Sequence, residues 1–308
     1  MREWLITGSF AFVVLLAFFI CVGMGWPGTP DSCIPKGDLQ KAHSPKNTCY
    51  CEPFNVQDVV NHVPGVRQPF NTFSNLYVLG TGAFLVFVAW KQRRKREDSR
   101  IPTTDVNRFR MGDVYPIFYI QMVVFLGLGS MWFHASIISW GGMFDQMSMY
   151  SLVSFLLSYS LIRIFAPPTY VFFILYPMVL LTYFALAFID ASSVLVIGIS
   201  MVPYGIMEII IWVQDWILDS KARGVTGSLF ENFAKFKAYM GSLWEYWHYW
   251  IIGLALFIIA IIIRGRSDTG GVLCIDCSSA FQYHGVWHWL SGIMAVMLYF
   301  HWRDAKKR

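Results

Sequence analysis

Two histidines, His284 and His288, stand four residues apart at the start of the last apolar stretch of the chain, in the sequence QYHGVWHWLSGIM. Residues four apart on a helix share one face, so both imidazoles would point in the same direction. Such a pair offers two nitrogen ligands to one metal ion. A catalytic zinc ion takes three protein ligands and leaves a fourth position to water, so a third ligand is expected from elsewhere in the chain.

A second apolar stretch, GLGSMWFHASIIS, contains His134 with Ser130 four residues before it, and Asp145 follows at the start of the next apolar stretch. Polar and ionisable groups inside apolar segments are costly and usually face the interior of a helix bundle. We predict His134, His284 and His288 as zinc ligands. Asp145 is the predicted general base, and Ser130 the predicted hydrogen-bond donor to the developing oxyanion.

The elements that must position these residues are membrane helices, because the chain is 56% hydrophobic and only 14% charged. Soluble domains carry about 25% charged residues. Segments of about 20 mostly apolar residues can cross a bilayer as helices. The sequence predicts them at 4–24, 70–91, 113–138, 143–165, 169–189, 193–215, 242–263 and 283–302.

This pattern predicts an all-α integral membrane protein with a core of seven transmembrane helices and one extra N-terminal transmembrane helix. The predicted parts are an N-terminal anchor at 1–25, an exterior Cys-containing loop at 26–69, a hydrolase core at 70–303 and a basic cytoplasmic tail at 304–308. The first segment could instead be a cleaved signal peptide, but its apolar run is longer than is usual for one.

Basic residues predict the orientation, since Lys and Arg are enriched in cytoplasmic loops. The block KQRRKREDSR (91–100) and the tail RDAKKR (303–308) are then cytoplasmic. Alternation puts both termini in the cytoplasm and all five predicted site residues near the luminal or extracellular face. Because the positive charge follows membrane topology, nucleic acid is not an expected partner.

Five cysteines fall in segments that this topology assigns to the exterior: Cys33, Cys49, Cys51, Cys274 and Cys277. Disulfides persist in oxidising compartments, so this placement supports the orientation. The expected bridges are Cys33–Cys49 and Cys51 with either Cys274 or Cys277. Sequence alone does not fix the connectivity, and free thiols are the alternative.

Together these motifs resemble the alkaline ceramidase family, which belongs to a wider group of seven-span membrane hydrolases that includes the adiponectin receptors. The matching stretches are GSMWFHASIISWGGMFDQMSMY (129–150), HGVWHWLSGI (284–293) and FNTFSNL (70–76). The resemblance implies zinc bound by His134, His284 and His288, with Ser130 and Asp145 assisting a water molecule. It implies hydrolysis of the ceramide amide to sphingosine and a fatty acid inside the membrane.

The resemblance also implies a calcium site, but here the sequence departs from the family. The stretch CYCEPFN (49–55) keeps Glu52 and Asn55 as candidate ligands. However, Cys49, Tyr50 and Gln68 stand where the family has Asp, Trp and Glu. Calcium prefers several carboxylate or carbonyl oxygens, so the predicted calcium site has fewer ligands than the family's site.

Several alternatives stay open. The substrate could be another lipid, such as a phospholipid or glycolipid ester. Alternatively, the protein could be a non-catalytic receptor in which a structural zinc ion holds the helices together. Asn71, Thr72 and Ser74 could cap a helix or support the metal ligands. The remaining polar positions are expected to anchor helices at the interface or to join them by hydrogen bonds; they are His62, Glu208, Trp212, Glu245, His248 and His301.

Overall fold

The computed structural model describes residues 2–34, 50–99, 107–111, 114–188, 193–222, 233–267, 271–274 and 281–305. Within these ranges the chain is helical, with one isolated β-bridge between Pro30 and Ile138 and no strand. The predicted all-α class is therefore confirmed.

The described helices coincide with all eight of the predicted apolar segments. In chain order they are α1 (Arg2–Met24), α2 (Val56–Val60), α3 (Pro69–Ser74), α4 (Leu76–Ser99), α5 (Arg108–Met111), α6 (Val114–Ser136), α7 (Ser139–Phe165), α8 (Tyr170–Phe188), α9 (Ser193–Ala222), α10 (Phe233–Arg266) and α11 (Tyr283–Asp304).

Five helical stretches of the described residues are long and apolar enough to cross a membrane: Pro69–Asp98, Val114–Ser136, Ser139–Phe165, Ser193–Ile217 and Trp247–Arg266. Two more, Ala11–Met24 and Tyr170–Leu186, are apolar but shorter. The chain is thus a multi-pass membrane protein.

The outer surfaces of α8 and α9 carry rows of large, exposed apolar side chains. Leu181, Ile199 and Ile206, for example, are more than half exposed. By contrast, α6 and α7 are buried along most of their length and occupy the middle of the bundle. This arrangement suits a bilayer, where lipid covers the outer faces and helices satisfy their own backbone groups.

A buried polar cluster joins α7, α9 and α11. The Glu208 carboxylate accepts hydrogen bonds from Arg163 Nη1 at 2.7 Å and from Ser160 Oγ at 2.9 Å, and it lies 3.0 Å from His301 Nε2. Glu208 and His301 therefore join helices, as predicted. Trp212 packs against Trp247, and the Glu245 side chain lies outside the described part of the chain.

The segment that follows α1 is anchored to the end of α6. Phe18 of α1, Trp26 and Trp132 of α6 form a cluster of edge-to-face rings. Such aromatic pairs add to the stabilisation that comes from buried area. The N-terminal region is therefore packed against the bundle.

A disulfide joins Cys51 to Cys274, across 223 residues of sequence. This pairing is one of the two that the sequence predicted for Cys51. Cys33 is also disulfide-bonded, whereas Cys49 and Cys277 lie outside the described residues. Cys21, in α1, is a free thiol.

Candidate metal centre

The three predicted zinc ligands come together in the structure. His134 lies in the last turn of α6, and His284 and His288 lie in the first two turns of α11. One ring nitrogen from each lies within 4.8 Å of the others, and Nε2 of His134 is 3.2 Å from Nε2 of His284. All three side chains are buried. Residues 150 positions apart therefore form one cluster of imidazoles.

Hydrogen bonds at Nδ1 of His134 and His288 determine which nitrogen of each ring can bind a metal. Nδ1 of His134 lies 2.7 Å from the side-chain oxygen of Gln68, which only accepts. Nδ1 of His288 lies 2.6 Å from Ser74 Oγ, whose own proton goes to the Asn71 carbonyl. Both Nδ1 atoms must therefore carry the proton, which leaves Nε2 of each ring with a free lone pair.

This donor set fits zinc. Zinc–imidazole bonds of about 2.0–2.1 Å in a tetrahedron place two ligand nitrogens about 3.4 Å apart. The 3.2 Å between the Nε2 atoms of His134 and His284 is close to that value. Hydrogen-bonded Nδ1–H groups are the usual support of metal-binding histidines. Among the described residues, these three histidines are the group that meets the distance requirement for a metal.

Ser130 and Asp145 lie beside this cluster. Ser130 Oγ is 3.2 Å from Nε2 of His288, and it accepts a hydrogen bond of 3.2 Å from Asn75 Nδ2. The Asp145 carboxyl is within hydrogen-bonding reach of the Ser130 hydroxyl. The five predicted site residues therefore form a continuous set of contacts across three helices.

Two glycines allow the helices to come close enough for these contacts. A Cβ on Gly285 would overlap the Phe70 ring, so its absence lets α11 approach α3 and brings His288 to Ser74. A Cβ on Gly129 would lie 2.8 Å from the Phe144 carbonyl oxygen and from Ser148 Cβ. Glycine at position 129 therefore allows α6 and α7 to pack closely beside Ser130 and Asp145.

A cavity of about 420 Å³ lies on the side of the site that holds Asp145. Asp145 lines it, and so do Tyr50 and Phe133, whose rings contact each other 5.8 Å apart. Ser32 and Met143, which are exposed, also line it, so the cavity reaches the surface of the protein. Its size is in the range of sites for small molecules or for the head group of a lipid.

The side chains predicted as calcium ligands make other contacts in the structure. Both carboxylate oxygens of Glu52 accept backbone N–H groups at the start of α3, from Phe70 at 2.7 Å and from Asn71 at 2.8 Å. Burial raises the pKa of Glu52, and these two N–H groups oppose that shift. The Asn55 side chain caps α2 by accepting from the Gln57 N–H. Calcium binding stays a prediction.

The NTFSN stretch contacts residues of the candidate site. Asn71, Thr72 and Ser74 lie inside α3, and the helix start is capped by Glu52 instead. Ser74 contacts His288, and Asn75 contacts Ser130. Of the two roles considered from the sequence, the structure favours the supporting one.

Sequence reasoning missed Gln68, Tyr50 and Arg264 as members of the site. The Tyr50 ring lies 4.3 Å from the His284 ring, centroid to centroid. The Arg264 guanidinium lies 4.5 Å from the centroid of the Tyr50 ring and donates to the Tyr50 hydroxyl at 3.1 Å. From the sequence, Tyr50 and Gln68 stood out only as departures from calcium ligands, and no role was predicted for Arg264.

A protein-family model described as Ceramidase matches residues 61–307. The matched range holds the three histidines, Ser130 and Asp145. Residues 1–60, which include α1, Tyr50 and Glu52, precede it. No curated protein matches the chain.

Proposed function

Because the chain belongs to the ceramidase family, we propose that it is a zinc-dependent intramembrane hydrolase that cleaves the amide bond of ceramide to sphingosine and a fatty acid. The observation that carries this proposal is the cluster of three buried imidazoles with Ser130 and Asp145 beside it. A carboxylate and a hydroxyl beside a metal site supply a general base and an oxyanion donor to a hydrolase, whereas a binding protein has no use for either.

His134, His284 and His288 would hold the zinc ion through their Nε2 atoms. When bound at such a site, zinc polarises the carbonyl of the substrate and lowers the pKa of water to about 7. Gln68 and Ser74 keep the rings of His134 and His288 in the tautomer and orientation that this requires.

Asp145 is the proposed general base, since it lines the cavity and has the Ser130 hydroxyl within reach. It would take a proton from the attacking water and return it to the amine that leaves. Ser130 accepts from Asn75, which fixes its oxygen and directs its proton away from Asn75. That proton lies within reach of the Asp145 carboxylate and would turn to the carbonyl oxygen as negative charge develops there.

We further propose that eight helical spans cross the membrane, as an N-terminal anchor at 1–25 followed by a seven-span core at 70–303. The basic end of α4 would then face the cytoplasm with both termini, and the metal centre would face the lumen or the exterior. The disulfide between Cys51 and Cys274 lies next to Tyr50 and Glu52, at the end of the bundle that holds the metal centre. Because disulfides persist in oxidising compartments, it supports placing that end on the luminal or exterior side.

The test uses the full-length protein purified in detergent. We expect metal analysis to find about one zinc ion per chain. We also expect mass spectrometry to detect the release of sphingosine and fatty acid from ceramide. His284→Ala should lose both zinc and product, whereas Asp145→Ala should keep zinc and lose product. His248→Ala is the matched control, since His248 lies 16 residues before Arg264 on α10, about 24 Å along the helix.

Two results would overturn the proposal. Full turnover by a zinc-free preparation would remove the metal from the reaction. Release of a fatty acid from phospholipid or glycolipid esters, with ceramide left intact, would keep a hydrolase but change the substrate.

A further inference from the structure

A short stretch after α1, residues 25–34, crosses the end of the bundle between α6 and α7; we refer to it as the strap. It lies before the first residue that the family model matches, residue 61. Its backbone is fixed on the bundle: the Ser139 N–H donates to the Thr29 carbonyl at 2.9 Å, and the Asp31 N–H donates to the Ile137 carbonyl at 3.1 Å. The Trp140 indole donates to the Pro27 carbonyl at 2.6 Å.

Asp31 is the acidic residue of the strap, and its carboxylate is held in one orientation. Oδ1 accepts the backbone N–H of Cys33 at 2.9 Å. Oδ2 lies against Gly142 in the first turn of α7, where a Cβ would come within 2.5 Å of it. Glycine at position 142 therefore leaves room for the carboxylate. A carboxylate that is fixed before binding loses little freedom when a ligand arrives.

Asp31 and Asp145 line the same cavity. Gly142, which Oδ2 of Asp31 touches, is three residues before Asp145 and so lies on the same face of α7. Asp31 is thus about one helical turn from the proposed general base. Gln146 and Ser193 line the cavity as well and add polar groups to its wall.

The charge of the residues that line the cavity determines which ligand groups it would bind. A partly buried carboxylate gains most from a hydrogen-bond donor, because charge-assisted hydrogen bonds are about twice as strong as neutral ones. An anionic group in the cavity would meet two carboxylates. The partner of Asp31 is therefore a group that donates, either a hydroxyl or an ammonium.

We propose that Asp31 of the strap binds a hydrogen-bond-donating head group of the lipid substrate, a hydroxyl or an ammonium, while the scissile bond lies at Asp145. This proposal rests on the hydrolase function proposed above and names a specificity residue for it. The strap would then act as a substrate-binding element that this chain carries outside the part matched by its family.

The experiment compares wild type, Asp31→Ala and Asp31→Asn on ceramide and on a ceramide whose head-group hydroxyls are methylated. Loss of a hydrogen bond to a charged group should raise KM for ceramide about 10-fold to 100-fold, with kcat little changed. KM for the methylated analogue should be the same in all three proteins. An N-acyl lipid with an amine head group forms a third arm and distinguishes an ammonium from a hydroxyl.

Asp98→Asn, at the exposed end of α4, is the matched control and should behave as wild type. Zinc content and elution on gel filtration confirm that each variant is folded. An equal change in KM for ceramide and its methylated analogue, or no change in KM for either ceramide or the amine lipid, would overturn the proposal.

Failure of the hydrolase function itself is distinguishable. If wild type cleaves none of these lipids, the same comparison is made by equilibrium binding of labelled ceramide and labelled methylated ceramide. Loss of the preference for ceramide in Asp31→Ala would then support the head-group site, and an unchanged preference would refute it.

Discussion

The side-chain oxygen of Gln68 lies 2.7 Å from Nδ1 of His134. The amide nitrogen of the same side chain donates to the Glu52 carbonyl at 2.9 Å, which fixes the amide orientation. Gln68 is fully buried. A residue that the family resemblance had marked as a missing calcium ligand therefore connects the N-terminal segment to a proposed zinc ligand.

Gln68→Ala should lower zinc affinity by about 10-fold to 100-fold, the usual cost of removing a group that supports a metal-binding histidine. The imidazole of His134 would be left with a buried N–H and no acceptor. Zinc retained after titration with a chelator measures the effect. Gln92→Ala is the matched control, because Gln92 accepts a hydrogen bond from Tyr299 at the other end of the bundle. Equal zinc affinity in the two variants would contradict the prediction.

Gly285→Val should weaken zinc binding and reduce turnover, because the added side chain collides with Phe70 and pushes α11 away from α3. The contact between Ser74 and His288 depends on that approach. Phe70→Ala removes the ring and keeps the backbone N–H, which donates a hydrogen bond to Glu52. The double variant should therefore recover zinc relative to Gly285→Val alone. Metal analysis of the three proteins checks this, and no recovery would mean that position 285 acts through another contact.

Cys51→Ser should destabilise the protein by about 2–4 kcal/mol, since disulfides that close long loops constrain the unfolded chain. The bridge holds the segment that places Tyr50 against His284 and Glu52 at the start of α3. Zinc should also dissociate faster from this variant. Thermal unfolding in detergent and the rate of zinc transfer to a chelator are the measurements. Cys21→Ser, which removes a free thiol, should match wild type in both.

The clustering of His134, His284 and His288 could be predicted from the sequence because two simple rules act on these residues. Helical spacing puts His284 and His288 on one face, and alternation of spans puts His134 at the same end of the bundle. Neither rule says which helices are neighbours. Contacts that depend on lateral packing were therefore beyond the sequence, such as the one between Ser74 and His288 across 214 residues.

The contacts that the sequence did not predict lie in segments with no periodic pattern. Gln68 precedes a proline in a loop, and its partner in α6 is 66 residues away. Glu52 was predicted as a possible calcium ligand, which stays a prediction, and the structure shows that both of its oxygens cap α3. Carboxylates serve both roles, and only the position of the nearby backbone N–H groups decides between them.

The buried cluster of Glu208, Arg163 and His301 gives a last prediction, about stability alone. Arg163 and Glu208 are almost fully buried and lie 2.7 Å apart. Glu208→Ala leaves the Arg163 charge without its carboxylate in the bundle, which typically costs about 3–5 kcal/mol. Zinc content should not change, because the cluster lies towards the C-terminal ends of α7 and α11, away from the metal centre.

The double variant Glu208→Ala/Arg163→Met distinguishes the cost of the unpaired Arg163 charge from the cost of lost packing. It removes the uncompensated cation, so it should unfold at a higher temperature than Glu208→Ala alone. If the double variant is no more stable than the single one, the loss comes from the cavity left by Glu208 or from the hydrogen bonds of Ser160 and His301. Thermal unfolding of wild type and both variants in the same detergent decides between these causes.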